Sequence, residues 1–201
     1  MKNLKLFFLP ALCIYGFANA QIPTDKESQI KMAVMAGPDD LRAEATVLGY
    51  NEKGELTTLR EGTNELVCMS NNPAEPNFQT VCYHKDLEPF MARGRELRAA
   101  GKGRQEIFDM REEEVKAGTL KMPDKPATLH VLYGGTDVTY DAAENKLNNV
   151  TYRYVIYIPY ATEESTGLPK KPNGPGHPWL MFPGTHGAHI MITPPKESKG
   201  N

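Results

Sequence analysis

Serine, cysteine and tryptophan are all scarce in this chain. Its 201 residues contain three cysteines, one tryptophan and four serines: Ser28, Ser70, Ser165 and Ser198. None of the serines sits in the G-x-S-x-G turn that exposes a hydrolase nucleophile, so that chemistry has no starting point here. Long apolar runs are also missing. The one candidate, Leu6 to Phe17, is shorter than the about 20 residues a bilayer span needs, which argues against a membrane-spanning protein. No charge sign dominates either: 23 basic residues face 25 acidic ones, for a net −2. A nucleic-acid partner would require a basic face able to displace counterions, so none is expected. Gly101-Lys102-Gly103 lacks the spacing and the following Ser/Thr of a phosphate-binding loop, and reads as a turn between helices.

The opening residues carry more information. Lys2 and Lys5 precede the apolar stretch, and Ala18-Asn19-Ala20 follows it, the order of a secretory signal peptide occupying residues 1–20. Cleavage there would remove Cys13 and two lysines, giving (23 − 2) − 25 = −4 for the mature chain. The remaining cysteines, Cys68 and Cys82, form an even, close pair in an oxidising compartment, which predicts a disulfide. Closing a loop of that size contributes about 3 kcal/mol through the unfolded chain.

Residues 21–36 read as a leader with a short helix over Ile30–Ala36, stopped by Gly37-Pro38, and Asp39-Asp40 opens one more turn. Residues 37–195 read as one α+β domain, mainly antiparallel strands with a helical hairpin inserted mid-chain, and residues 196–201 as a polar tail. The stretch from Ala45 to Ser70 has the punctuation of a β-meander around Asn51-Glu52-Lys53-Gly54 and Gly62-Thr63-Asn64. A fourth strand follows over Phe78–Tyr83, so the disulfide would staple the third and fourth strands, or the loop between them. Leu87, Phe90, Met91, Gly94 and Leu97 recur with a helical period. A second helix is expected from about Arg104 to Lys116, with Glu112 and Lys116 as an i,i+4 pair. In NVTYRYVIYIPY, Tyr152, Tyr154 and Ile156 alternate with Thr151, Arg153, Val155 and Tyr157, the pattern of a strand. Residues 161–178 are rich in Pro and Gly and read as a lid, a binding loop or disorder. Two last strands are expected at Trp179–Phe182 and His189–Ile192.

The stretches ATVLGY, LREGTNELVC, CYHKDLEPFMARGREL and PWLMFPGTHGAHIMI together resemble a group of exported bacterial proteins of unassigned function, over about residues 37–193. The resemblance implies a bacterial envelope protein, in the periplasm of a Gram-negative organism. It brings no ligand, cofactor or active residue with it.

Three of the five histidines, His177, His186 and His189, lie close together in sequence near the C-terminus. On a strand, His189 and Met191 share a face, and His186 sits in a flexible glycine-flanked approach. Two imidazoles and a thioether suit copper, with zinc the other option, and His177 or Met181 would close the site. A structural role for these histidines is the competing expectation, in which case no cofactor is needed. Cys82/His84 would suggest an activated thiol only if the disulfide were absent, and His130 reads as a half-buried strand histidine. Glu61, Glu65, Asp86 and Glu88 are candidates for a carboxylate pair. With no nucleophile or strong metal motif, the favoured expectation is a non-catalytic module that binds a small molecule, a glycan or another envelope protein near the 161–178 loop.

Overall fold

Short-range chemistry sets the element boundaries. In the computed structural model, which describes residues 22–195, the Asp25 carboxylate accepts the Ser28 backbone N–H at 2.9 Å and opens α1, Lys26–Val34. That bond satisfies one of the donors a helix start leaves unpaired. A 3-10 turn follows at Asp39–Leu41. Strands β1 (Thr46–Tyr50) and β2 (Leu56–Arg60) flank a turn in which Asn51 Oδ1 accepts the Lys53 and Glu55 N–H groups. Next come β3 (Leu66–Met69) and β4 (Phe78–His84). The helical stripe becomes α2, Glu88–Ala99, with Pro89 in the first turn, where its missing N–H costs nothing. Beyond the glycine turn lies α3, Arg104–Lys116. The rest of the chain is β5 (Ala127–Gly134), a small hairpin β6 (Thr139–Asp141) and β7 (Lys146–Asn148), β8 (Thr151–Tyr157), the single turn α4 (Glu163–Thr166), β9 (Trp179–Met181) and β10 (His189–Ile192).

Eight strands form one sheet in the order β2-β1-β3-β4-β5-β8-β10-β9, with the β6–β7 pair separate. Every neighbouring pair is antiparallel except β1 and β3, so the fold is α+β with a mostly antiparallel sheet. The first three strands are therefore not a meander. β3 passes β2 and pairs with the far side of β1. The crossing is held by the Glu44 carbonyl, which accepts the Thr63 and Asn64 N–H groups at 2.8 and 3.2 Å. Gly62 permits it: a Cβ there would lie 2.2 Å from the Thr46 backbone nitrogen.

Helix α1 covers one face of the sheet, where Met32 and Ala33 pack with Val47, Cys68, Phe78, Cys82 and Leu132. On the opposite face, Val81, Tyr83, Leu129, Val131 and Val155 pack with Leu87 and Met91 at the start of the helical hairpin. Cys68 and Cys82 are directly opposite in the β3–β4 pair, bonded on the α1 face with their Cα atoms 4.0 Å apart. Among the described residues no helix is long and apolar enough to cross a membrane. The 161–178 segment is tied down: Thr162 caps α4 through a reciprocal bond with Ser165, Leu180 N–H reaches Pro169 O at 2.9 Å, and Gly176 N–H reaches Thr193 O at 3.1 Å. The expected signal peptide at 1–20 and tail at 196–201 lie outside the described residues.

Candidate functional site

The face under the α2–α3 hairpin has two chemically different ends. At one, β8 finishes with Tyr157 and β10 begins with its register partner His189. Two of the three expected histidines, His186 and His189, are here, and both are buried. His186 is fully buried, between Phe90 and Phe108 at ring separations of 5.4 and 4.7 Å. His189, 7% exposed, lies 5.0 Å from Tyr157 and 5.9 Å from Phe182. Phe90–Tyr157 and Phe108–Phe182 contacts at 5.7 and 5.0 Å complete a ring of six aromatic side chains.

Glu112 ties this ring to α3. Its Oε2 accepts the His186 backbone N–H at 2.8 Å and also the His186 Nδ1–H, while Oε1 pairs with Lys116 at 2.8 Å. Burial works against the Glu112 charge, but the Lys116 ammonium and the two His186 donors outweigh it and hold the carboxyl at about 2. Burial also pushes His186 below its ordinary value, against the attraction of Glu112. The imidazole is then neutral at neutral pH, with its proton on Nδ1 and a bare lone pair on Nε2. That Nε2 is buried without a partner. His189 is pushed down by burial too, and its Nδ1–H donates to the Gly187 carbonyl at 2.7 Å.

The other sequence candidates are spread out. Met191 packs against the Val155 core cluster, and Met181 pairs with His189 across β9 and β10. His177 precedes β9, away from its His186 end, beside Gly174 and Trp179. Among the described residues no group of three or more His, Cys, Asp or Glu side chains is placed to hold a metal. Glu65 pairs with Lys85 at 2.7 Å and Glu88 with Arg95 at 2.5 Å, so these carboxylates are neutralised by separate partners. The Tyr152 hydroxyl gives its proton to the Ala36 carbonyl at 2.8 Å and so accepts from His130 Nδ1 at 2.7 Å, which makes His130 a strand-face hydrogen-bonding residue.

The opposite end of the same face is open. Where β5 finishes and β8 begins there is a groove of about 840 Å³ that sequence reasoning missed. Its floor includes Met69, Gln79, Tyr133 and Thr151, and the α2–α3 turn forms one wall with Arg98, Lys102 and Arg104. Asn71, Asn77 and Asn149 border it with Glu75 and Asp137. Lys102 is paired with Glu106 at 2.5 Å. Arg98 and Arg104 are exposed, and neither guanidinium forms an ion pair or hydrogen bond among the described residues. The available signal was the cluster of basic residues around the glycine turn, RAAGKGR, which places cations at one point in space even though it is no phosphate loop.

A second groove, about 430 Å³, adjoins the first: Thr151 lines both. Its walls include Pro172, His177, Trp179, Thr193 and Pro194. Arg153 lies between them, donating to Tyr133 Oη at 2.8 Å on one side and to Thr193 Oγ1 at 3.1 Å on the other. Comparison with known proteins found no matching family model, curated protein or solved structure.

Proposed function

We propose that this protein is an exported, non-catalytic binding module of the Gram-negative periplasm, and that it holds a polar small molecule or glycan in the groove beside the α2–α3 turn. The observation that carries this reading is the pair of guanidiniums, Arg98 and Arg104, that have no partner among the described residues and face a floor of amide, hydroxyl and tyrosine groups. The volume lies within the range of ligand sites, and the mainly polar lining selects a polar ligand. Ser70 at its margin is 3% exposed, with its hydroxyl donating to Gln29 Oε1 at 2.9 Å. Titration of the protein with a library of small anions and oligosaccharides, followed by amide NMR shifts, tests the reading. Shifts should concentrate at Gln79, Tyr133 and the α2–α3 turn, and Arg98→Glu/Arg104→Glu should weaken binding by about tenfold or more, the equivalent of one charge-assisted hydrogen bond. Turnover of a bound glycan, lost in Glu75→Gln or Asp137→Asn, would overturn the non-catalytic assignment.

A metal site on His186 and His189 is the second reading, and one observation favours it. Both imidazoles give Nδ1–H to an oxygen acceptor, the arrangement that leaves Nε2 for a metal. Copper is favoured over zinc if Met191 or Met181 joins them, through sulfur softness. The aromatic enclosure of His186 ranks this second. Calorimetric titration with Cu(I) and Zn(II) decides it, because a true site must saturate at one metal per chain and lose affinity in His186→Ala.

A further inference from the structure

We infer that the ligand of the groove is a linear acidic glycan that continues past Thr151 and Arg153 into the second groove, where Trp179 is the platform for a further sugar unit. This rests on the binding reading above and extends it to a ligand class and a second subsite.

Continuity is the first observation. Thr151 belongs to both grooves, and Arg153, on the same face of β8, reaches Tyr133 in one and Thr193 in the other. Arg153 itself lines neither groove, but it ties a residue of one to a residue of the other through two neutral hydroxyls, with its guanidinium 4.5 Å over the Tyr133 ring, so no carboxylate neutralises it there. The second observation is charge. Arg98, Lys102 and Arg104 outnumber Glu75 and Asp137 in the lining of the first groove, on a chain whose formal net charge is −2. A local positive excess on an acidic protein selects anionic ligands by long-range attraction as well as by contact.

The lining favours a sugar over a peptide. Peptides commonly bind by adding a strand to a free sheet edge, but the floor strands β4, β5 and β8 are interior and paired on both sides. Nor are there apolar anchor pockets in the first groove, since Phe78 and Ile107 are only 3% and 5% exposed. Asn71 Oδ1 accepts the Gln79 N–H at 2.9 Å and Asn149 Nδ2 donates to the Asp137 carbonyl at 2.8 Å, which fixes both amides and leaves the Asn71 NH₂ as donor and the Asn149 Oδ1 as acceptor for ring hydroxyls, beside the Asn77 amide. The partly exposed Trp179, flanked by Pro172 and Pro194, offers a flat apolar surface for the C–H face of a pyranose.

Trp179 is the only tryptophan in the chain, so its fluorescence reports on the second groove alone. The test is titration of the full chain with digalacturonate and hexagalacturonate, read by calorimetry and by Trp179 emission. The hexamer should change the emission and bind about tenfold more tightly than the dimer; the dimer should bind without an emission change. In Trp179→Ala the length advantage should vanish while dimer affinity stays. Equal affinity of the two oligomers with unchanged emission would confine the ligand to the first groove, overturning the extension but sparing the binding reading. Neutral cellohexaose binding as tightly would overturn the acidic assignment, and hexaglutamate binding as tightly would overturn the glycan. If neither galacturonate binds while the library screen still shifts the first groove, the ligand class is wrong and the site stands.

Discussion

Removing Glu112 should detach the C-terminal strands from the helical hairpin more effectively than any other single polar change. The carboxylate accepts two donors from His186, one of them a backbone N–H in a buried segment, and pairs with Lys116. Hydrogen bonds to a charged group contribute about 1.5–3 kcal/mol each, and a buried donor left without a partner carries a similar penalty. The Lys116 pair is 64% exposed on its basic side, so it adds no more than about 0.5 kcal/mol. Glu112→Ala is therefore expected to cost about 3 kcal/mol, the low end of that sum. For a chain of this size that lowers Tm by about 6–12 °C. Thermal and urea unfolding, followed by far-UV circular dichroism, gives the number. Acid titration gives a second, independent readout. A carboxyl lowered from 4.5 to about 2 contributes stability that is complete above 4.5 and lost as pH falls through about 2. The two buried histidines, lowered from 6.5, add a loss that begins as pH drops below 6.5. Glu112→Gln should flatten the lower segment of the profile and, by removing the attraction that opposes burial at His186, carry the histidine segment further down in pH. A Tm within about 1 °C of the parent protein, well under the shift expected from two lost charged bonds, or an unchanged acid profile would refute the reasoning.

Two further changes address the scaffold. Replacing Cys68 and Cys82 by alanine should lower unfolding stability by about 2–4 kcal/mol in non-reducing urea titration, and leave groove binding intact because the bond lies on the α1 face. Gly62→Ala forces a Cβ onto the Thr46 backbone nitrogen and should cost about 1–3 kcal/mol, seen as a lower urea midpoint.

Elements were legible where the signal is local. The stripe from Leu87 to Leu97 and the run from Arg104 to Lys116 gave both helices, because a 3.6-residue period needs no knowledge of the partner. Thr151–Tyr157 was legible as a strand for the same reason, with a period of two. Pairing was not. The turn at Gly62 announces a change of direction but not which side of β1 the next strand will join, and that choice rests on the Glu44 carbonyl. The β6–β7 hairpin escaped because it is short and buries only Leu147 of its six strand residues. The closeness of His186 and His189 was legible, the distance of His177 from them was not, and the chemistry at His186 depends on Glu112, 74 positions away. The open groove draws on five strands and one helical turn, a convergence that no spacing rule encodes.

The distribution of partners within the helical hairpin supports a division of labour between the two ends of the face. Arg93 is bound to Glu114 and Glu96, Arg95 to Glu88 and Tyr83, and Arg111 lies 3.8 Å over the Phe90 ring with a bond to the Phe90 carbonyl. These arginines are committed to holding α2 and α3 together or to the sheet. Arg98 and Arg104, the pair flanking the glycine turn, have no such partner among the described residues, and both line the groove. Pairing a guanidinium internally removes it from ligand binding, because its planar donors then already face a carboxylate. The Glu112–His186 tie at the far end lets the hairpin hold its place without help from the turn, so the two turn arginines have no structural pairing among the described residues, which is what the proposed anion site requires.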